Sequence, residues 1–338
     1  LEIAQVKIDS RRVEPGDLFV AFIGENVDGH DFAHAAVRRG AIAILAQKPL
    51  PELKVPVLVV PDCAQALTRA AKAYRKTWHM PVLALTGSNG KTTVKEMLGA
   101  IIPEPRYCSL GNFNNQLGVP INILNVKPDS QFAIFELGAN HQGDIAYTAG
   151  LVKPDVALIN NIGPAHLQGF GSIEGVAIAK GEIYQALGAH GCAVINEDDN
   201  YAHFWDEHLK TQRVLRYSSK KECDVWASEL SPDALGCYQF KLHINHQSCP
   251  IHLKVPGKHQ VQNALAASAM AIAVGISVNI IAGGLESFLG VGGRLNIKSG
   301  YNQSTVIDDT YNANLASVTA GLEFLSKRPG EKILVIGD

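Results

Sequence analysis

The stretch that decides the fold is PVLALTGSNGKTTVKEML, residues 81–98. Residues 82–85 form an unbroken apolar run, a glycine-containing loop follows, and apolar residues then recur at helical spacing. This order predicts a strand, a tight loop and a helix. The unpaired N–H groups and the positive dipole end at the start of such a helix attract phosphate. The alternative is a polar turn with a surface lysine, but the flanking strand and helix favour a nucleotide site.

The loop is shorter than the usual phosphate-binding pattern (P-loop). That pattern has a glycine five residues before the glycine of the Gly-Lys pair, and this chain has Leu85 there, so the loop is two residues shorter. Glycines let the backbone approach phosphate oxygens, Lys91 supplies charge, and Thr92 offers a hydroxyl suited to Mg²⁺. The residues predicted to contact the nucleotide here are Gly87, Ser88, Asn89, Gly90, Lys91, Thr92 and Thr93.

Composition excludes several classes of function. The 338 residues are 46% hydrophobic and 18% charged, as expected of a globular protein with two or three domains. The formal net charge of −2 gives no electrostatic case for nucleic acid or an anionic membrane as partner. The six cysteines are scattered and form no C-x-x-C pair, so neither a zinc site nor a disulfide framework is indicated.

The fold class predicted is α/β, in three parts. Residues 1–79 alternate short apolar strands with amphipathic helices and form a small N-terminal α/β domain. Residues 80–297 form a central P-loop domain with a mostly parallel sheet, to which residues 213–255 add an antiparallel meander. Residues 298–338 run strand, helix, strand (KILVIGD), and we expect them to begin a Rossmann-like C-terminal domain that is cut off at Asp338.

Two further polar residues follow predicted strands of the central sheet. Glu136 ends the strand FAIFE, at the sheet edge where ligands gather in open α/β folds, and is a natural second ligand for Mg²⁺. His166, in NNIGPAHLQGF, follows the next strand. A solvated glutamate and a loop histidine without function are the alternatives, and for the histidine alone the latter is the commoner case.

Later segments add weaker candidates. His259 and Asn263 lie four residues apart at the start of a helix, and an amide can read an adenine edge. Arg294 is permanently charged and suits a phosphate or ribose. The loop DDTYNAN contains Asp308, Asp309, Tyr311, Asn312 and Asn314 after a strand, with a surface turn as the competing interpretation.

The shortened loop TGSNGKTT resembles that of the Mur ligase family, whose superfamily also includes the folylpolyglutamate synthases. DSR, GDLFVA, DGHDF, GNFNNQLGVP, ELGANHQGDI, AHLQGFGS, AKGEI and DDTYNAN also match the family, in its order and over essentially the whole chain. The resemblance implies an enzyme that couples ATP hydrolysis to amide bond formation.

The resemblance also implies roles for individual residues. Lys91, Glu136, His166 and Lys180 would be catalytic, with Lys180 carbamylated and forming a metal site with Thr92, Glu136 and His166. Asn263, Arg294 and Asp309 would contact ATP. The substrate would contact an N-terminal uridine-binding set, Ser10, Arg11, Asp28, Gly29 and His30, and a second set, Asn112, Asn114, Asn115, Asn140, His141, Tyr311 and Asn312.

ELGANHQG and DTYNAN point, within the family, to members that join D-alanyl-D-alanine to UDP-N-acetylmuramoyl-tripeptide in peptidoglycan precursor synthesis. The expected cofactors are ATP and Mg²⁺, and the expected setting is a monomer in the bacterial cytoplasm. A folylpolyglutamate synthase-like ligase and a nucleotide-binding module without chemistry are the alternatives. The sequence leaves open whether the third residue of the tripeptide is lysine or diaminopimelate. We also expect residues 1–338 alone to bind the uridine nucleotide without completing ligation.

Overall fold

The computed structural model describes residues 1–24 and 26–337. Its N-terminal part contains a parallel four-stranded sheet in the order β1-β2-β3-β4, with two helices. The elements are β1 Val6–Lys7, β2 Leu18–Val20, α1 Ala33–Arg38, β3 Ala43–Ala46, β4 Val57–Val59 and α2 Cys63–Arg75. The side chain of Asp62 accepts a hydrogen bond from Gln65 N at 3.0 Å and so caps the start of α2.

Helix α2 joins this unit to the central part of the chain. Its Leu67 packs with the N-terminal sheet, whereas Ala71 is buried in a core of the central sheet. Arg75, in its last turn, donates to the carbonyl oxygens of Val152 at 2.5 Å and Lys153 at 2.7 Å. The two units therefore share one packed interface.

The central part is a nine-stranded sheet in the order β13-β12-β11-β10-β9-β8-β5-β7-β6. The strands from β6 to β11 are parallel, and β11, β12 and β13 form an antiparallel meander, so the predicted fold class is confirmed. The elements are β5 Val82–Thr86, α3 Lys91–Ile101, β6 Arg106–Cys108, α4 Gly118–Leu124, β7 Phe132–Glu136, α5 Asp144–Val152, β8 Val156–Ile159, α6 Leu167–Phe170, α7 Ile173–Gln185, β9 Cys192–Asn196, β10 Arg213–Ser218, β11 Val225–Pro232, β12 Cys237–Ile244, β13 Gln247–Pro256, α8 His259–Ala273 and α9 Val278–Ser287.

Two hydrophobic cores cover the faces of this sheet. One contains α3, α8 and α9, and the other contains α5 and α7. The carboxyl ends of β8, β5 and β7 are adjacent, with the helix after β5 on one face and the helix after β7 on the other. This is the arrangement in which an open α/β sheet forms its ligand crevice.

The C-terminal part differs from the prediction. It contains an antiparallel pair, β14 Asn296–Ser299 and β15 Thr305–Asp308, followed by α10 Leu315–Ser326. The boundary predicted after residue 297 falls inside β14. The parallel strand predicted for KILVIGD is wrong for residues 332–337, which pair with no strand. A β-strand needs a hydrogen-bonding neighbour, and Ile333 and Val335 are 76% and 87% exposed. Asp338 lies outside the described residues.

None of the helices in the described part of the chain is both long enough and apolar enough to cross a membrane.

Candidate active site

The loop between β5 and α3 has a conformation that only glycine accommodates at two positions. Gly90 precedes α3 with φ +79°, and Gly87 has φ +154°. A Cβ at Gly90 would lie 2.5 Å from both Asn160 Nδ2 and Asn263 Oδ1. The loop is therefore pressed against the side chains behind it, and the start of α3 faces a cleft of about 650 Å³.

Asn161 holds the tip of this loop from the neighbouring strand end. Its Oδ1 accepts from Asn89 N at 2.8 Å, and its Nδ2 donates to Asn89 O at 3.0 Å. The backbone N of Ser88 donates to Asn161 O at 3.0 Å. Asn160 and Asn161 are not among the residues predicted for the site, although two amide side chains directly after a buried strand were an available signal in the sequence.

Lys91 occupies the base of the cleft. Its Nζ donates to Gly87 O at 2.9 Å, which folds the side chain back over the loop. Loss of hydration and the nearby Arg294 lower its pKa, whereas Glu136 raises it, and the loss of hydration dominates. The cleft thus presents a positive charge next to the loop N–H groups, as phosphate binding requires.

Glu136 is 3% exposed at the end of β7. Its Oε1 accepts from Asn114 Nδ2 at 2.9 Å, whereas its Oε2 is buried without a hydrogen-bond partner. A buried carboxylate oxygen without a partner is costly unless a cation or donor satisfies it. Mg²⁺ needs only one or two protein carboxylates when phosphates and water complete its shell, so this oxygen fits such an ion.

Lys180 and His166 also line the cleft. Lys180 is 2% exposed in α7, and its ammonium lies 5.9 Å from the centre of the Phe170 ring. Burial, followed by the charge of Lys91, lowers the pKa of Lys180 to about 7. Burial and the charges of Lys180 and Lys91 also lower the pKa of His166. The described residues contain no group of three or more His, Cys, Asp or Glu side chains placed to hold a metal, so the predicted metal set rests on Glu136 and on modification of Lys180.

The lowered pKa of Lys180 predicts a pH-dependent stability. Between pH 7 and 10.5 the unfolded chain binds more protons at this lysine than the folded chain, so folded-state stability rises with pH in that window. In CO₂-free buffer, the stability advantage of Lys180→Met over the unsubstituted protein should shrink as the pH rises through this range. Urea unfolding of both proteins at several pH values measures it, and two parallel curves would contradict the assignment.

Residues from the C-terminal part close one side of the cleft. Arg294 Nη2 donates to Thr92 Oγ1 at 3.0 Å, and its guanidinium lies 4.2 Å from the centre of the Tyr311 ring. Asn314 Nδ2 donates to Asn89 Oδ1 at 2.7 Å. These contacts join positions that are 202 and 225 residues apart in the chain.

Three cleft residues of the second predicted substrate set, Asn115, Asn140 and His141, form local hydrogen bonds within the protein. Asn115 Oδ1 accepts from Gly118 N at 2.8 Å and shapes the turn before α4. The backbone N atoms of Asn140 and His141 each donate to Asp144 Oδ2 at 2.9 Å. The predicted residues that line the cleft are Gly87, Ser88, Asn89, Gly90, Lys91, Thr92, Asn112, Asn114, Asn115, Glu136, Asn140, His141, His166, Lys180, Arg294, Tyr311 and Asn312.

Three predicted nucleotide contacts lie outside the cleft wall. Asn263 is 5% exposed, and its two amide atoms already bond to Asn160 Nδ2 at 3.1 Å and Gln260 Oε1 at 3.0 Å. Thr93 is buried in α3. Asp309 Oδ1 accepts from Leu295 N at 3.2 Å, and burial raises its pKa. His259, four residues before Asn263, is exposed.

The N-terminal set, Ser10, Arg11, Asp28, Gly29 and His30, does not line this cleft. His30 is 4% exposed, accepts from Gln47 N through Nε2 at 3.0 Å and contacts Asp28 Oδ1 through Nδ1 at 2.5 Å. Because Gln47 N donates to Nε2, Nδ1 carries the proton. Both ring nitrogens of His30 are therefore used internally. Arg11 is exposed and pairs with Asp9 at 2.9 Å.

Lys95 is a buried lysine that is not among the residues predicted for the site. It is 1% exposed in α3, and its Nζ donates to Ser109 O at 2.8 Å and Gly111 O at 3.4 Å. Ser109 Oγ in turn accepts from Glu136 N at 3.0 Å. Lys95 thus ties the first turns of α3 to the loop that carries Asn114.

Comparisons with known proteins identify the family of this chain. Two family models match, the Mur ligase middle domain over residues 85–271 and the Mur ligase family catalytic domain over residues 2–75. The UDP-N-acetylmuramoyl-tripeptide–D-alanyl-D-alanine ligase of Escherichia coli K12 is 42% identical over 337 residues, which cover 98% of this chain and 74% of that protein.

Two solved structures of MurF ligases are similar in fold to this chain. MurF from Acinetobacter baumannii superposes with a TM-score of 0.87 at 39% identity, covering 98% of this chain and 72% of that one. MurF ligase from Thermotoga maritima in complex with ADP gives a TM-score of 0.80 at 28% identity, covering 97% and 75%.

The parallel sheet, the shortened loop and the cleft of Lys91, Glu136 and Lys180 define an α/β protein with a P-loop nucleotide site. The chain belongs to the Mur ligase family. The resemblance predicted from the motifs is therefore confirmed.

Proposed function

We propose that this protein uses ATP to join D-alanyl-D-alanine to UDP-N-acetylmuramoyl-tripeptide in peptidoglycan precursor synthesis. The observation that carries the proposal is the cleft in which the P-loop, Glu136 and the buried Lys180 converge. Relatives named for this reaction match 98–100% of the chain, including its N-terminal unit, which favours this function over a folylpolyglutamate synthase.

The reaction has two steps. The terminal carboxylate of the tripeptide attacks the γ-phosphorus of ATP, and ADP leaves, which gives an acyl phosphate. The amine of the dipeptide then attacks the carbonyl carbon, a proton is lost, and phosphate leaves. Lys91 and the N–H groups of the loop stabilise the negative charge on the transferring phosphoryl group. The loop that contains Asn112, Asn114 and Asn115, beside Glu136, orients the tripeptide carboxylate that accepts the phosphoryl group.

Mg²⁺ fits the carboxylate oxygen of Glu136 that has no partner, and Thr92, His166 and a carbamate on Lys180 complete the proposed set. When bound, the ion neutralises charge on the phosphates. In the structure, the hydroxyl of Thr92 accepts from Arg294, so Arg294 must share or release this oxygen when the ion binds.

Carbamylation of Lys180 follows from its surroundings. A pKa of about 7 leaves a large neutral fraction at physiological pH, and only the neutral amine attacks CO₂. The amine nitrogen bonds to the carbon of CO₂ and loses a proton, which produces an anionic carbamate. That anion replaces a repulsive ammonium facing Lys91 with oxygen donors suited to a hard cation.

Each of the three predicted parts of the chain would have its own role in ligand binding. Residues 1–79 would bind the uridine nucleotide, residues 80–297 the ATP, and residues 298–338 would supply side chains that close one side of the cleft. Within the first part, His30 acts by holding Asp28 and Gln47 in place, since its ring nitrogens are occupied. We place the protein in the bacterial cytoplasm, where ATP is available, and expect a monomer.

Product formation tests the proposal. The full-length protein is incubated with ATP, Mg²⁺, D-alanyl-D-alanine and UDP-N-acetylmuramoyl-tripeptide carrying either lysine or diaminopimelate, and products are resolved by mass. The proposal predicts a UDP-linked pentapeptide from at least one tripeptide, and comparison of the two substrates identifies the third residue. Glutamate addition to a folate substrate, without any UDP-linked product, would establish the folylpolyglutamate synthase alternative.

A further inference from the structure

A network of buried amide side chains lies directly behind the phosphate-binding loop. Its centre is Asn160, the first residue after β8, which is 2% exposed and is absent from the cleft wall. We propose that Asn160 is a positioning residue for the phosphate-binding loop, which it holds with the Asn89 carbonyl turned away from the nucleotide. This inference rests on the ATP site proposed above.

The hydrogen bonds of Asn160 determine which end of its side-chain amide is the NH₂ group and which is the oxygen. Its Nδ2 donates to Asn89 O at 2.9 Å and to Asn263 Oδ1 at 3.1 Å. Tyr217 shares its one hydroxyl proton between Asn160 Oδ1 and Asn160 O, each at 3.1 Å. A backbone carbonyl can only accept, so the NH₂ group must face Asn89. The hydroxyl of Tyr217 therefore helps to orient the side-chain amide of Asn160. Asn263 Nδ2 in turn donates to Gln260 Oε1 at 3.0 Å.

The network explains why the loop has glycine on both sides of its tip. A Cβ at Gly87 would lie 3.0 Å from Asn160 Cβ, and a Cβ at Gly90 would lie 2.5 Å from Asn160 Nδ2. Both glycines therefore allow the loop backbone to lie against Asn160, and Gly90 also lies against Asn263.

The position of the Asn89 carbonyl matters for phosphate binding. A P-loop presents N–H groups to phosphate, so any carbonyl that turned towards the ligand would repel it. Two amide donors, Asn160 Nδ2 and Asn161 Nδ2, fix the Asn89 oxygen at 2.9 and 3.0 Å on the side away from the cleft. Asn160 thus controls the orientation of the peptide that precedes Gly90 and Lys91.

The test is Asn160→Asp, which keeps the shape but replaces the NH₂ donors with an acceptor facing two oxygens. Calorimetry with ADP, and separately with the UDP-linked tripeptide, should show ADP binding weakened about 10–100-fold and tripeptide binding changed less than about twofold. The matched control is Asn125→Asp. Asn125 is also a buried amide, and it bonds to Val6 N at 2.6 Å in the N-terminal sheet. The Asn125→Asp variant should have a lower melting temperature and unchanged ADP affinity.

If the unsubstituted protein binds ADP and the ADP dissociation constant of Asn160→Asp lies within twofold of its value, the inference is overturned. Absence of ADP binding by the unsubstituted protein would overturn the proposed ATP site as well. If Asn160→Asp does not fold, Tyr217→Phe decides the question, because it removes only the hydroxyl that orients Asn160. We expect it to weaken ADP binding about threefold to tenfold, and unchanged affinity would refute the positioning role.

Discussion

Lys91→Ala is expected to reduce ATP turnover by about 10²–10³-fold, the usual loss when one electrostatic stabiliser of a transition state is removed. The ammonium of Lys91 lies beside the loop and bonds to Gly87 O at 2.9 Å, so it is already directed over the phosphate-binding backbone. Phosphate release with saturating substrates measures the effect.

The matched control for this substitution is Lys72→Ala. Lys72 is an exposed lysine on α2 that does not line the cleft, and the same loss of charge there should leave turnover within about twofold. Near-normal turnover in Lys91→Ala would remove the assignment of the loop as the nucleotide site, whatever the control shows.

Lys180→Ala is expected to be almost inactive, with partial rescue by short carboxylates such as acetate or formate. The truncated side chain leaves room where the proposed carbamate would lie, and a small carboxylate restores anionic oxygens there. The expected loss, about 10²-fold or more, has the same electrostatic origin as that of Lys91. Activity is measured with and without added carboxylate.

A spectroscopic readout separates carbamylation from a merely structural role. With ¹³C-bicarbonate, the unsubstituted protein should show a carbamate carbon resonance that Lys180→Ala lacks. Lys153, exposed at the end of α5, provides a control substitution that should retain the signal. A fully active preparation at saturating bicarbonate that shows no carbamate signal would rule out this role for Lys180.

The parts of the site that the sequence predicted are those determined locally. β5, the loop and α3 follow one another without interruption, and Glu136 is the last residue of its strand, so periodicity and spacing located them. The pairing of β14 with β15 and the lack of a partner for residues 332–337 depend on which strands meet, and periodicity does not determine this.

The contacts that sequence reasoning missed are long-range. Asn160 meets Asn89 across 71 residues and Asn263 across 103, and nothing near Asn160 in the sequence indicates that its amide turns behind the loop instead of into the cleft. For the same reason, the resemblance that placed His30 in the uridine-binding set did not reveal that Gln47, 17 residues away, occupies its second nitrogen.

The central claim is that the cleft activates a carboxylate by phosphorylation and then forms an amide. The most direct measurement uses UDP-linked tripeptide labelled with ¹⁸O in its terminal carboxylate, together with ATP, D-alanyl-D-alanine and the full-length protein. An acyl phosphate transfers one carboxylate oxygen to the released phosphate, so we predict one ¹⁸O atom in each phosphate and none in ADP. Product formation accompanied by unlabelled phosphate would contradict the account.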